Sequence, residues 1–254
     1  MISPKDIKDQ CLKWWKDVLV SHIDSRSFFP RDITRIGKVN SKDILSNLSA
    51  YDKSIQLLKS EAKPNKKLGY TLITEERRFN KIKDQTVPVK ITIDSIDDYL
   101  QITGKKREYE SFQGNYDLVI KNHPLLKGWI KENPTKLIEH DTWEHTLKTC
   151  SYFLQTPKPN LYIRQLPIDI HTKYISENEG LLQSLLEYLI PEHIVTNEKK
   201  FERRFNLKYS EPLIRIRFLD KTLSPIPSAT DISLPLSEFN KFNSNCKNIF
   251  VTET

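Results

Sequence analysis

The stretch that most constrains this chain is VPVKITI at 87–93, where Val87, Val89, Ile91 and Ile93 alternate strictly with other residues. A period of two puts those four side chains on one face of a strand, and that face must be buried. The flanking stretches keep another period. Ile7, Cys11, Trp14, Trp15, Val18 and Leu19 recur at helical spacing, as do Tyr109, Phe112, Tyr116, Val119 and Ile120. A sheet set among helices makes the expected fold class α+β.

Local signals place the elements. Ser3 caps a first helix, Pro4 suits its first position, and Asp6 and Asp9 favour the positive end of its dipole. The Trp14–Trp15 pair reads as packing, with base stacking as the alternative. SRSFFPRDITRIGKVN (25–40) is a loop. Ser41 opens a second helix whose apolar seam is Ile44, Leu48, Tyr51, Ile55 and Leu58, and KPNKK (63–67) turns the chain. Strands are expected at 68–76, 77–83 and 87–93, so a helix–helix–sheet unit fills roughly residues 1–95. Beyond it, Ser95 caps a short helix through Leu100. Asp141 caps a helix carrying Trp143, Leu147, Cys150 and Leu154. TPKPN (156–160) is a turn, 161–168 a strand, and Leu181 to Ile190 a buried helix. Short helices, a turn and a strand are the parts of a winged helix. LIRIRFLD (213–220) alternates Ile214, Ile216 and Phe218 with Arg215 and Arg217. CKNIFVTE (246–253) reads as an apolar strand ending in an acid. Such a strand needs neighbours, so the chain reads as part of a longer protein.

Composition narrows the function. Among 254 residues, no apolar run approaches the ~18 needed to span a bilayer, and charges occupy the N-terminus where a signal peptide is apolar. A cytoplasmic protein without membrane contact is expected. Cys11, Cys150 and Cys246 lie far apart and form no C-x-x-C pair, which argues for buried packing residues over zinc or disulfides. Only six glycines are present and none forms a phosphate loop, so ATP chemistry of that type is excluded. EHDTWEH (139–145) spaces His140 and His145 five apart, off a shared helix face, which favours surface or capping roles over metal binding. The net charge is +7 and uneven: residues 1–110 hold 22 Lys and Arg against 16 acids, and residues 111–254 hold 18 against 17. A basic surplus points to nucleic acid, with a merely solvated surface as the other reading.

IRQLPIDIHTKYIS (163–176), FERRFNL (201–207) and NIFVTE (248–253) stand in the order and near the spacing found in the nuclease subunits of Wadjet-type anti-plasmid systems, the JetD family. The opening, with its SP, WW and SFFP, is similar too, so the chain resembles that family along its whole length. His171 stands where the family has Asp, Ser176 where it has Glu, Asn206 where it has Gly and Thr254 where it has Asn. Asn is the next-best residue for a left-handed backbone. The resemblance implies an N-terminal arm domain (1–94), a mainly helical winged-helix-like domain (95–198), and a junction with the beginning of an incomplete Toprim-like α/β domain (199–254). That arrangement is similar to the A subunit of type VI topoisomerases. It implies double-stranded DNA, an SMC-type motor and a second copy of the chain as partners. Glu253 matches the first catalytic and metal-binding acid of the Toprim site, which takes Mg²⁺ or Mn²⁺ in the longer protein. No cofactor is expected in this chain, whose later acids are missing. Tyr162 and Tyr174 match no nucleophile motif and read as packing residues.

The candidate DNA-binding residues are Lys199, Lys200, Arg203, Arg204, Arg215 and Arg217, with Arg164 and Lys173 flanking the expected wing. On phosphates they would give affinity that depends on salt but not on sequence. The alternative is bracing: a local ion-pair lattice around Glu202, and pairing of Arg164 or Lys173 with Asp169 or Glu177. The leading expectation is a DNA-gripping, non-catalytic part of an endonuclease. Against it stands a complete DNA-binding or adaptor module without chemistry, and third an interaction protein whose basicity serves solubility.

Overall fold

The computed structural model describes residues 2–37, 44, 47–79, 82–226, 229–243 and 246–251. Helix α1 (Pro4–Leu12) begins with a capping box. The Asp6 N–H donates to Ser3 Oγ (3.2 Å), and the Ser3 N–H donates to the Asp6 carboxylate (2.8 Å). The helix expected to continue through Leu19 breaks instead. The Trp14 N–H closes a tight last turn on the Cys11 carbonyl (2.9 Å), and α2 (Trp15–Ile23) starts anew. The break lets both tryptophans lie half-buried against one core, Trp15 stacked on Tyr99 at 6.4 Å, which is the packing role.

β1 (Arg31–Asp32) follows, then α3 (Leu48–Glu61), where Asn47 Oδ1 accepts from the Ala50 N–H at 3.0 Å. Ser41, expected to open this helix, lies outside the described residues. Of the apolar seam, Ile44, Tyr51, Ile55 and Leu58 are buried, while Leu48, at the first helical position, is 41% exposed. β2 (Ala62–Lys63) runs parallel to β3 (Tyr70–Phe79), β3 antiparallel to β4 (Ile82–Ile93), and β1 closes the order β1-β4-β3-β2. The strand expected at 77–83 is divided: residues 77–79 continue β3, 82–83 begin β4, and 80–81 lie outside the described residues. Alternation in β4 fails at Val89. The register steps from Ile73↔Lys90 to Thr74↔Pro88, so Val89 is a bulge without a partner and is 38% exposed, while Val87, Ile91 and Ile93 are buried. Tyr70 and Leu72 join a cluster with Ile7, Cys11, Val18, Leu58, Ile91 and Tyr99. Phe79, at the far end of β3, packs with Ile44, Tyr51 and Ile55.

α4 (Ile96–Thr103) starts at Ser95, whose Oγ accepts from the Asp98 N–H, and ends at Gly104, whose φ of 77° suits a residue without Cβ. Asp98 is 1% exposed. Its carboxylate takes Lys63 Nζ (2.7 Å), Ser95 Oγ (2.6 Å) and the Gly69 N–H (3.1 Å). Burial pushes this carboxyl up, but the three donors outweigh burial and hold it below its usual range. The turn after β2 is thereby tied to α4. The longer helices that follow are α5 (Lys106–Asn122), α6 (Trp143–Gln155) and α7 (Glu179–Leu189). The Thr146 N–H reaches the Thr142 carbonyl at the start of α6, one position beyond the expected cap Asp141. α7 matches its sequence reading, with Leu182, Leu185, Leu186 and Leu189 buried. Cys11 and Cys150 are fully buried, which pushes both thiols up to about 12, and Cys246 is half-buried.

Two expected strands are absent. At 161–168 the chain forms a 3₁₀ turn, Ile163–Gln165. The Asn160 N–H donates to the Asn206 carbonyl and the Lys208 N–H to that of Leu161, so this backbone pairs with 206–208 instead of a sheet. At 246–251 no strand forms, and Ile249, Phe250 and Val251 are 80%, 78% and 90% exposed. No described strand lies beside them to pair with.

The chain groups into two compact units, residues 1–154 with 180–191, and residues 155–179 with 192–254. The expected division after residues 94 and 198 concerns family architecture, which compactness does not decide. The second unit contains α8 (Phe201–Arg204) and an antiparallel pair, β5 (Leu213–Arg217) with β6 (Asp231–Pro235). No described helix is long and apolar enough to cross a membrane.

Candidate nucleic-acid interface

The basic residues singled out in the sequence all belong to the second unit. Their frame is α8, where the buried rings of Phe201 and Phe205 pack 4.9 Å apart and fix the turn between them. Asn206 follows with φ 56°, the left-handed conformation that an asparagine in the glycine position should take. Its Nδ2 donates to the His193 carbonyl at 2.7 Å. The chain therefore reverses and brings Tyr209 back beside α8.

Two cations of α8 and its entry meet on that tyrosine. Lys200 Nζ lies 4.1 Å from the Tyr209 ring centroid and donates to its hydroxyl, and the Arg203 guanidinium lies 5.0 Å from the same ring. Arg203 also faces Glu198 (3.8 Å) and Glu211 (3.7 Å), both at the long end of ion-pair range. Glu211 is further held by Ser237, whose side chain first and N–H second keep its carboxyl below its usual range. Arg204 turns inward, with Nη1 donating to the Thr196 (3.0 Å) and Glu198 (2.9 Å) carbonyls, so it braces the loop before α8. Lys199 is exposed and has no ion pair among the described residues. Lys208 reaches over the Tyr162 ring at 6.0 Å.

β5 alternates as its sequence requires: Arg215 and Arg217 are exposed, Ile214 and Ile216 half-buried, and Phe218 buried. Both arginines converge on Asp231 across the ladder. Arg217 Nε and Nη2 donate to Oδ2 (3.0 and 2.8 Å), and Arg215 Nε donates to Oδ1 (3.1 Å). The hydrogen bonds from Arg217, then Arg215, hold the Asp231 carboxyl below its usual range. The strand face thus carries two guanidinium groups sharing one acid.

The flanking pair separates. Lys173 lies 3.3 Å from Glu177, one turn on in the short helix Thr172–Glu177, which is the bracing role. His171 caps that helix through the Lys173 N–H (3.1 Å to Nδ1). Arg164 is exposed, on the 3₁₀ turn instead of a wing strand, with no ion pair among the described residues. Glu253 lies outside the described residues. Tyr209, which organises the basic cluster, was not singled out in the sequence. The available signal was an aromatic residue closing the basic and aromatic run FERRFNLKY (201–209).

In EHDTWEH, His140 Nε2 lies 2.8 Å from Thr146 Oγ1 and its ring meets Trp143 edge-on, so it serves the start of α6. No group of three or more His, Cys, Asp or Glu among the described residues is placed to hold a metal ion.

No curated protein matches the chain. A family model described as "Uncharacterized protein conserved in bacteria N-term (DUF3322)" matches residues 4–187, a span that includes Arg164 and Lys173 and stops short of the Tyr209 cluster. That span is well over half of the sequence, and the protein belongs to this bacterial DUF3322 family.

Proposed function

We propose that this chain is the DNA-gripping, non-catalytic N-terminal part of a metal-dependent endonuclease subunit in an SMC-type anti-plasmid defence system of the JetD kind. The observation that carries the reading is the pair Lys200 and Arg203 mounted on Tyr209, beside the exposed Lys199. Cations held over an aromatic ring lose little freedom when they take up phosphate oxygens, and such contacts carry no sequence preference. A nuclease acting on many plasmids needs that mode. The description of the family as an N-terminal region fits a chain that continues into a catalytic domain. In this reading residues 1–94 are the arm, 95–198 the winged-helix-like domain and 199–254 the approach to a Toprim-like domain. The subunit pairs with a second copy and docks on the motor that hydrolyses ATP. Glu253 supplies the first acid for Mg²⁺ or Mn²⁺.

The test uses the longer protein. Glu253→Gln keeps the shape of the side chain and removes its charge, so plasmid cleavage with Mg²⁺ should vanish while duplex binding stays within about twofold. The present chain should bind duplex DNA without nicking it. Cleavage by Glu253→Gln at the wild-type rate, or metal-dependent nicking by this chain, contradicts the reading.

A further inference from the structure

The first unit carries a second cation mounted on aromatic rings, outside the cluster just described. Arg31, in the two-residue strand β1, is pinned at its backbone by pairing with Ile93. Its guanidinium lies 4.4 Å from the Phe28 ring centroid and 5.1 Å from that of Trp14, and those two rings pack at 6.2 Å. The side chain is exposed. Neighbouring cations have carboxylate partners: Arg26 and Lys131 share Asp24 (2.7 and 2.9 Å), and Lys90 holds Asp32 (3.1 Å). Arg31 alone of this group has no carboxylate within ion-pair distance among the described residues. It lines a cleft together with Asp17, Arg26, Ser27 and Phe28.

We infer that Arg31, seated on Phe28 and Trp14, is a phosphate clamp for the backbone of duplex DNA, an inference that rests on the DNA-binding reading above. The rings hold the planar group while its N–H edge stays open, and that edge matches two oxygens of a phosphodiester. Asp24 and Asp32 already pair with other cations, Asp17 on the cleft wall is more than ion-pair distance from Arg31, and residues 1–110 hold the larger share of the chain's positive surplus, which favours a polyanion. The apolar ring edges give the adjoining deoxyribose a surface to pack on.

The experiment measures binding of the full chain to a short labelled duplex of arbitrary sequence across a salt series. Arg31→Gln should lower affinity several-fold at low salt and flatten the plot of log K against log salt by about one contact's worth, ~0.9. Arg31→Lys should keep the slope and lose part of the affinity, because the charge remains and the fork is gone. Arg26→Gln, whose guanidinium is already occupied by Asp24, should leave the slope unchanged. Amide exchange on the wild-type chain, which needs no variant to fold, should slow in residues 26–33 when duplex is added. A folded Arg31→Gln with wild-type affinity and slope, or no slowing in that segment, overturns the clamp. If Lys200→Glu/Arg203→Glu loses binding in the same series, the DNA-binding reading survives that failure. A wild-type chain that binds no duplex removes both. Polyglutamate bound in preference to duplex, in an Arg31-dependent way, would assign the clamp to an acidic protein segment and overturn it as a DNA contact.

Discussion

The first unit buries Tyr99, Phe112, Trp143 and Phe153 to under 2% exposure, whereas the described hydrophobic residues buried in the second are Leu166, Ile175, Phe201, Phe205, Leu207 and Phe218. The second unit compensates with polar bracing. Arg204 holds two carbonyls, Asn206 one, and Asp231 two arginines. Where little apolar area is available, charged side chains are drawn into fixing the backbone, and a count of cations in the sequence overstates how many face a ligand. Arg204 and Lys173 are committed to the fold. Lys199 and Lys200 are exposed without an ion pair among the described residues, and Arg203 is exposed with Glu198 and Glu211 at the long end of ion-pair range.

The largest effect that probes this contrast is loss of one buried ring in each unit. Phe112→Ala and Phe205→Ala each remove a fully buried side chain, at a cost of about 3–5 kcal/mol. With so few buried partners, Phe205→Ala should abolish amide protection in 155–179 and 192–243 while α4 and α5 keep theirs. Equal loss of protection in both units would dissolve the distinction.

Next in size is Asp98. Replacing it with Ala removes the acceptor for Lys63 Nζ and for the buried Gly69 N–H, and should cost about 3 kcal/mol in urea denaturation. The sign with pH follows from its depressed carboxyl. The contribution is complete above the unfolded value, about 3.9, and is lost as pH falls through the lower folded value. Asp98→Ala should therefore lose less stability than wild type on acidification below about pH 4. Identical acid profiles would show that the three donors do not hold this charge.

Smaller still is Asp231→Asn, on the exposed face of the second unit. It releases Arg215 and Arg217 from a surface ion pair, so thermal stability should barely change while duplex affinity at low salt rises. An affinity that stays the same or falls would leave these arginines as bracing groups only.

Sequence reading succeeded where one residue's own chemistry decides the outcome. Ser3 and Ser95 cap through neighbours three residues away, Asn206 takes φ 56°, and the leucines of α7 recur at helical spacing. It failed where a distant partner decides. The bulge at Val89 depends on register with Ile73, and the segment at 161–168 gives its backbone pairing to 206–208. Asp98 gains its role from Lys63 and Gly69, across a turn and a hairpin. In the candidate interface the cations were visible as a run of letters. The groups that sort them, Asp231, Glu211 and Tyr209, reach them only through the chain reversal after α8 and the β5–β6 ladder.

The central claim is that the outward cations on Tyr209 hold duplex DNA, and the slope of log K against log salt for Lys200→Glu/Arg203→Glu tests it most directly. Both positions are exposed, so the variant should keep the circular dichroism of the wild type. The account predicts a weak, sequence-independent complex for the wild-type chain, and for the variant a slope shallower by about two contacts, ~1.8, with affinity reduced at least tenfold at low salt. A folded variant with the wild-type slope and affinity would contradict it.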